Sequence, residues 1–277
     1  MAFQYVKLTD ALFHKFSELI YRQAGIHLKP EKKELLNTRL SKRLRACGIP
    51  TFRKYYDFVV NDHSGAELIQ LIDCVSTNFT NFFREQAHFD LLTSTILPQF
   101  IAENRQKEEL LLWSAACSSG EEPYTIAMVL EEFLGREPGW RYRIVATDIS
   151  TKVLAQAERG IYPADRVEKV PPELLHKYFQ RGVGQRAGLV RVKERLKRQV
   201  EFRRLNLIEE FPWHDELQVI FCRNVMIYFN RSTQEELVNK FHRCLAPGGY
   251  LFIGHSESLA SIRHMFKQVA STAYRKI

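Results

Sequence analysis

Four short apolar runs recur along the chain from residue 110 onward: LLLW at 110–113, RIVAT at 143–147, QVIFC at 218–222 and YLFIG at 250–254. Helical stretches separate the first three and the last two. Strands alternating with helices bury both faces of a sheet, and the arrangement that does so is a parallel, doubly wound α/β fold. Ser150 is placed to cap a helix that ends at Gly160. Ser232 and Glu235 have the spacing of a capping box for a helix that ends near Leu245. Residues 180–204 break the alternation. Gly182, Gly184 and Gly188 signal turns, and LVRV and VEFR alternate apolar with basic positions, so a small antiparallel β insertion is expected there.

The N-terminal part reads differently. Thr9 or Asp10 can cap a helix ending at Gly25, and Pro30 opens a second that ends at Gly48. Leu36, Leu40 and Leu44 form its buried stripe, which leaves Arg39, Lys42, Arg43 and Arg45 on the other faces. Ser64 with Glu67 has capping-box spacing for a further helix running to Val75. The expected organisation is an all-α domain over 1–75, a linker over 76–88, and the sheet domain over 89–277.

Charge adds a constraint. Residues 1–60 hold twelve Lys/Arg and five Asp/Glu, so +7 of the formal +8 lies in the first fifth of the chain. Such a surface is either a solvated lysine-rich face or a dock for an acidic partner. The five cysteines are far apart, form no CxxC pair and are odd in number, which argues against a disulfide framework or zinc knuckle and for a reducing compartment. No metal is expected. MAFQYVKLTD lacks the apolar core of a signal peptide, and no apolar run approaches the ~18 residues of a membrane span. A cytoplasmic protein without membrane insertion is expected.

Four segments carry the chemistry. In ELLLWSAACSSGEEPYTIAMVL a strand runs through small residues into a helix that begins near Glu121, with Pro123 in its first turn. A dinucleotide-binding turn stands at this place, but with three glycines; here there is only Gly120. Glu121 and Glu122 would repel a diphosphate and suit a cation. S-adenosylmethionine carries an ammonium and a sulfonium and no phosphate, so the loop favours it over NAD. Asp148, at the end of the next strand, can accept both ribose hydroxyls, or cap the helix after it. FCRNVMIYFN at 221–230 puts Asn224 just past a strand end, on the same crevice. It lacks the paired prolines of the turn used on nucleobase amines, which argues against nucleic acid as acceptor. VSTNFTNFFR at 75–84 interleaves polar and aromatic residues: either a hinge packing two domains, or a lid whose polar groups and Arg84 reach a ligand.

With these segments in order, the chain resembles the chemotaxis receptor methyltransferases of the CheR family. The likeness extends through ERGIY at 158–162, RGVGQRAGLVRV at 181–192, LNL at 205–207 and LAPGGYLFIGHSES at 245–258. The resemblance implies a Rossmann-like S-adenosylmethionine-binding domain with a small β insertion behind an N-terminal helical domain. Matched by motif, cofactor contacts fall on Asn78, Thr80, Arg84, Glu122, Asp148, Asn206, Leu207, Asn224 and Val225. The implied product is a glutamate γ-methyl ester, with S-adenosyl-L-homocysteine released. Arg84 and Tyr228 are the expected catalytic residues, orienting the carboxylate or shaping the transfer site; His255 reads as structural. Arg39, Lys42, Arg43 and Arg45 would dock the acidic cytoplasmic helical bundle of a receptor, and the insertion offers an edge for a receptor tail to add as a strand. A monomer is expected. The competing readings are a methyltransferase of this fold acting on RNA or a small molecule, and a docking module without catalysis.

Overall fold

A computed structural model describes residues 7–103, 109–137 and 139–277. Helices α1 (Asp10–Ala24), α2 (Lys33–Cys47), α3 (Phe52–Asn61) and α4 (Ala66–Val75) enclose one apolar core. Thr9 caps α1, its hydroxyl accepting from the Leu12 amide, and Gly25 ends it at φ 70°, in the left-handed region where a side chain would be strained. Pro30 opens a short 3₁₀ turn that feeds α2, and Gly48 closes α2. Leu36, Leu40 and Leu44 form the buried stripe of α2, facing Phe16, Tyr55 and Leu71. The sequence reading missed α3, although Thr51 caps it by accepting from the Lys54 amide.

The expected Ser64–Glu67 capping box does not form. The α4 helix starts after Gly65 with no side-chain cap, and the Glu67 amide donates to Asp62 at 2.7 Å. The Glu67 carboxylate has a stronger claim on it: Arg43 donates to both its oxygens at 2.7 and 2.6 Å, and the Tyr55 hydroxyl donates at 2.8 Å.

After α4 the chain passes through the linker into α5 (Ala87–Leu91) and, by one π turn, α6 (Leu97–Glu103). The sheet domain then follows: β1 (Glu109–Ala115), α7 (Glu121–Leu134), β2 (Arg141–Asp148), α8 (Thr151–Arg159), β3 (Ile161–Pro163), α9 (Pro172–Tyr178), β4 (Phe179–Arg181), β5 (Leu189–Val192), α10 (Glu194–Lys197), β6 (Val200–Arg204), β7 (Leu217–Cys222), α11 (Arg231–Cys244), β8 (Leu245–Ile253), β9 (Phe266–Ala270) and β10 (Ala273–Lys276). The seven-stranded sheet has the order β6-β2-β1-β7-β8-β10-β9. The first five strands are parallel; β10 and β9 add antiparallel. Each expected apolar run lies in one of the parallel strands. In β1, Leu110 and Leu112 enter the core on one face while Trp113 enters the core on the other, which is why such strands read as unbroken apolar runs.

Two local expectations change. The insertion is a three-stranded antiparallel sheet, β3-β5-β4, assembled from 161–163 and 179–192. The VEFR segment is not its second hairpin strand. It is β6, which pairs parallel to β2 at the edge of the main sheet, with Val200 beside Ile144. Alternation alone does not say which sheet a strand joins. The other change is at α11, whose N-cap is Asn230, accepting from the Thr233 amide at 2.9 Å, and not Ser232.

Strand order reverses between β1 and β7, so a crevice opens beyond Ala115 and Cys222. The helical domain is seated beside it. Asn206 donates to the Gln23 carbonyl at 2.8 Å, Asn230 donates to the Tyr21 hydroxyl at 2.7 Å, and Thr151 donates to Asp73 at 3.2 Å. At Gly25 a Cβ would come within 2.5 Å of Ile208, so that close approach of α1 to the sheet domain needs glycine.

Candidate functional site

A cavity of about 1030 Å³, counted to its open mouth, occupies this crevice. Its walls come from the end of α1 (Ala24), the linker, the β1–α7 loop, the end of β2, the Leu205–Leu207 turn and the loop after β7. Asn78, Thr80, Arg84, Glu122, Asp148, Asn206, Leu207, Asn224 and Val225 all line it, and so does Tyr228. Residues spread over almost 150 positions of sequence thus converge on one space.

The β1–α7 loop is built by backbone strain held in place by packing. Ala116 and Ser118 take φ of 65° and 50° without being glycine. Gly120, at φ 94°, stands where a Cβ would meet Ala157 Cβ at 2.8 Å, which is why this loop keeps one glycine. The two glutamates that follow part ways. Glu121 is fully buried and turns from the cavity, accepting from Ser119 Oγ at 2.6 Å and Arg166 at 2.5 Å. Only Glu122 faces the cavity. It accepts from Ser114 Oγ at 2.7 Å and from Arg223 at 3.1 Å. Burial pushes its carboxyl above the ordinary range, against the opposing pull of Arg223. The helix start is doubly acidic as expected, but only one of its two carboxylates faces the cavity.

Asp148 is 5% exposed. Its Oδ2 accepts from the Ser118 amide at 2.8 Å and its Oδ1 from the Ser150 amide at 2.9 Å. Burial raises its pKa, opposed by these amide bonds. Helix α8 itself is capped by Ser150, whose hydroxyl accepts from the Val153 amide. The carboxylate thus braces two backbone turns and remains on the cavity wall.

The linker is clamped along its length. Ser118 Oγ donates to the Asn78 carbonyl at 2.9 Å, Arg166 donates to the Thr80 carbonyl at 2.9 Å, and Arg84 donates to the Phe79 carbonyl at 2.9 Å. Phe82 is buried against Tyr162 and Phe179, whereas Phe79 is 69% exposed at the cavity rim. The aromatics do not join the two domains: Phe82 and Phe83 pack into the core of the sheet domain, while the polar residues Asn78, Thr80 and Arg84 line the cavity.

The loop after β7 is held from below. Glu257 accepts from the amides of Asn224, Met226 and Gly254 at 2.9, 2.7 and 2.6 Å. Asn224 sits at φ 59°. A Cβ at Gly254 would lie 2.3 Å from Asn224 Nδ2, so GHSES approaches the loop through its glycine.

Sequence reasoning missed Arg223. Its side chain is 1% exposed, and it donates to Glu122, to Glu85 at 3.1 and 3.3 Å, and to the Arg84 carbonyl. Glu85 also accepts from Asn224 Nδ2 at 3.1 Å and the His255 amide at 3.3 Å. Glu85, His88 and His255 bring ligand atoms within 4.8 Å of one another, but the Glu85 oxygens are already taken up by these donors. Burial drives His88 down to about 3, so it is neutral.

Two of the four expected docking cations are occupied within the helical domain. Arg43 pairs with Glu67, and Arg39 donates to the carbonyls of Val75 and Ser76 and to Thr77 Oγ1 at 2.9 Å. Lys42 and Arg45 remain exposed. All five cysteines are free thiols. Among the described residues, no helix is long and apolar enough to cross a membrane.

The family model for the CheR methyltransferase S-adenosylmethionine-binding domain matches residues 78–275, and that for the CheR all-alpha domain matches residues 11–76. The chain belongs to the CheR methyltransferase family. Its relatives include the chemotaxis protein methyltransferase of Borreliella burgdorferi, 41% identical over 275 residues, covering 98% of this chain and 96% of that one. The Escherichia coli protein of the same name is 41% identical over 268 residues, covering 96% and 91%. Chemotaxis protein methyltransferase 2 of Pseudomonas aeruginosa is 41% identical over 264 residues, covering 95% and 91%. The CheR sheet domain is an S-adenosylmethionine-binding one, and the cavity suits that ligand: one inward carboxylate for a cationic end and a second carboxylate at the end of β2, while of the two arginines among the described lining residues Arg223 is already paired with Glu122 and Glu85.

Proposed function

We propose that this chain transfers a methyl group from S-adenosylmethionine to the γ-carboxylate of glutamates on chemotaxis receptors. The observation that carries the reading is the convergence of all nine motif-matched residues on one cavity at the switch point of the sheet. Glu122 would hold the ammonium of the cofactor's amino acid end, Asp148 the ribose hydroxyls, and Asn224 and Val225 the floor beneath the transfer site. When bound, the cofactor supplies an electrophilic sulfonium methyl that a carboxylate oxygen takes as the carbon–sulfur bond breaks, leaving the thioether S-adenosylhomocysteine.

A glutamate with a pKa of ~4.3 is already ionised at neutral pH, so the chain needs no general base. Its residues have to orient the acceptor and keep water out. Arg84 and Tyr228 line the cavity and are suited to that task. His88, neutral and bonded to Thr272 at 2.5 Å, has no part in it. The exposed Lys42 and Arg45 of α2 would meet the acidic surface of the receptor's helical bundle. The test is incubation of receptor-bearing membranes with cofactor labelled in the methyl group. Label released as methanol in mild alkali is expected. Alkali-stable label, or label in RNA, would overturn the reading.

A further inference from the structure

Among the described residues that line the cavity, Arg223 is the one cation whose charge is wholly withdrawn from solvent. Its guanidinium fork reaches three partners on two elements: Glu122 at the start of α7, and Glu85 and the carbonyl of Arg84 in the linker. It lies 5.6 Å from the Phe89 ring centre, which closes off one face. Withdrawing an arginine to 1% exposure is costly unless each partner is matched, and here two carboxylates and a carbonyl do so. We propose that Arg223 is a positioning residue for methyl transfer: it holds the Glu122 carboxylate aimed into the cavity, and it locks the Arg84–Glu85 end of the linker over the same cavity.

The first half of this role has a specific electrostatic content. Glu122 is surrounded by Arg223 from the loop after β7, Ser114 from β1, Glu85 and Arg84 from the linker, and the thiols of Cys117 and Cys222, which burial keeps protonated. Burial and Glu85 both push the Glu122 carboxyl upward; Arg223 is the foremost group drawing it down. Without that cation the neutral form of Glu122 gains, and a neutral carboxyl is a poor partner for an ammonium. The second half follows from geometry. Glu85 and Phe83 both take positive φ, 59° and 53°, so this turn persists because its surroundings hold it. Arg223 and Asn224 are the side chains that grip Glu85 from across the crevice.

This inference rests on the reading that Glu122 holds the cofactor, and calorimetry of the full chain with S-adenosylmethionine across pH 6 to 9 separates the two. Glu122→Gln tests the reading: unchanged affinity would remove Glu122 from the site whatever Arg223 does. Arg223→Gln tests the inference. Its affinity is expected to fall at least tenfold at pH 7 and to recover as pH rises, because deprotonation restores the Glu122 charge; the wild type is expected to vary little over this range. A purely structural residue would lower affinity without the pH slope. Arg223→Lys keeps the buried cation and covers the case in which Arg223→Gln does not fold. It is expected to flatten the pH profile again while still binding more weakly than wild type, since a single ammonium cannot reach all three partners. A wild-type affinity in Arg223→Lys, or an Arg223→Gln protein that binds normally or without a pH slope, would overturn the proposal.

Discussion

At Glu122, burial and charge pull in opposite directions: burial pushes the carboxyl upward and Arg223 draws it down. The site carboxylates Glu122 and Asp148 are both pushed upward by burial. Cofactor affinity should therefore weaken as pH falls below 6, sooner on acidification than a solvent-exposed carboxylate of pKa ~4 would give. Glu122→Gln should weaken S-adenosylmethionine binding roughly 10- to 100-fold, the equivalent of one charge-assisted hydrogen bond of ~1.5–3 kcal/mol, as calorimetry would measure. Gly254→Ala should cost about 1–3 kcal/mol of stability and most of the activity, because its methyl would have to displace Asn224. Glu122, Asp148 and Asn224 were legible in the sequence because each follows a strand that can be recognised by its apolar run. The turning away of Glu121 was not, since it depends on Arg166, forty-five positions on. Nor was Arg223: its role depends on Glu85, which the fold brings opposite it from 138 positions away.

Among the elements, α2 shows best how a helix divides its cations between structure and surface. The reading of Arg39, Lys42, Arg43 and Arg45 as docking residues came from the family resemblance together with the charge of the helix. Tertiary partners then claimed two of them, Arg43 for Glu67 and Arg39 for the turn that starts the linker. Their substitutions should consequently behave differently. Reversing Lys42 and Arg45 together should raise KM for the receptor several-fold, with a strong dependence on salt, and leave cofactor affinity unchanged. Arg43→Ala should instead destabilise the helical domain by about 2 kcal/mol, less than a fully buried pair would lose because Arg43 keeps a quarter of its side chain in solvent. Thermal unfolding would separate the two classes. The small sheet illustrates a related limit. Its glycine turns announced an insertion, but only pairing partners could assign Val200–Arg204 to the edge of the main sheet, where Arg203 and Arg204 also guard against pairing with a neighbour.

Over the whole molecule, positive charge sits in two blocks rather than one. Residues 181–204 hold nine Lys/Arg and two Asp/Glu, a second +7 beside that of residues 1–60, so the rest of the chain is net −6. The cavity lies between the helical domain and the sheet domain, walled by both. The carboxylates of Glu122 and Asp148 lie on its wall. The double winding of the sheet was readable from four apolar runs, and with it the place of the crevice; the seating of the helical domain beside it depends on single contacts such as Asn206 to Gln23, which no periodicity announces. The central claim is that a glutamate carboxylate of a chemotaxis receptor takes the methyl group. Mass spectrometry of a receptor cytoplasmic fragment, after incubation with this protein and S-adenosylmethionine, tests it most directly. The account predicts an added methyl on glutamate residues, lost on alkaline treatment and matched one for one by S-adenosylhomocysteine; a receptor fragment left unmodified while cofactor is consumed, or a methyl that survives alkali, would contradict it.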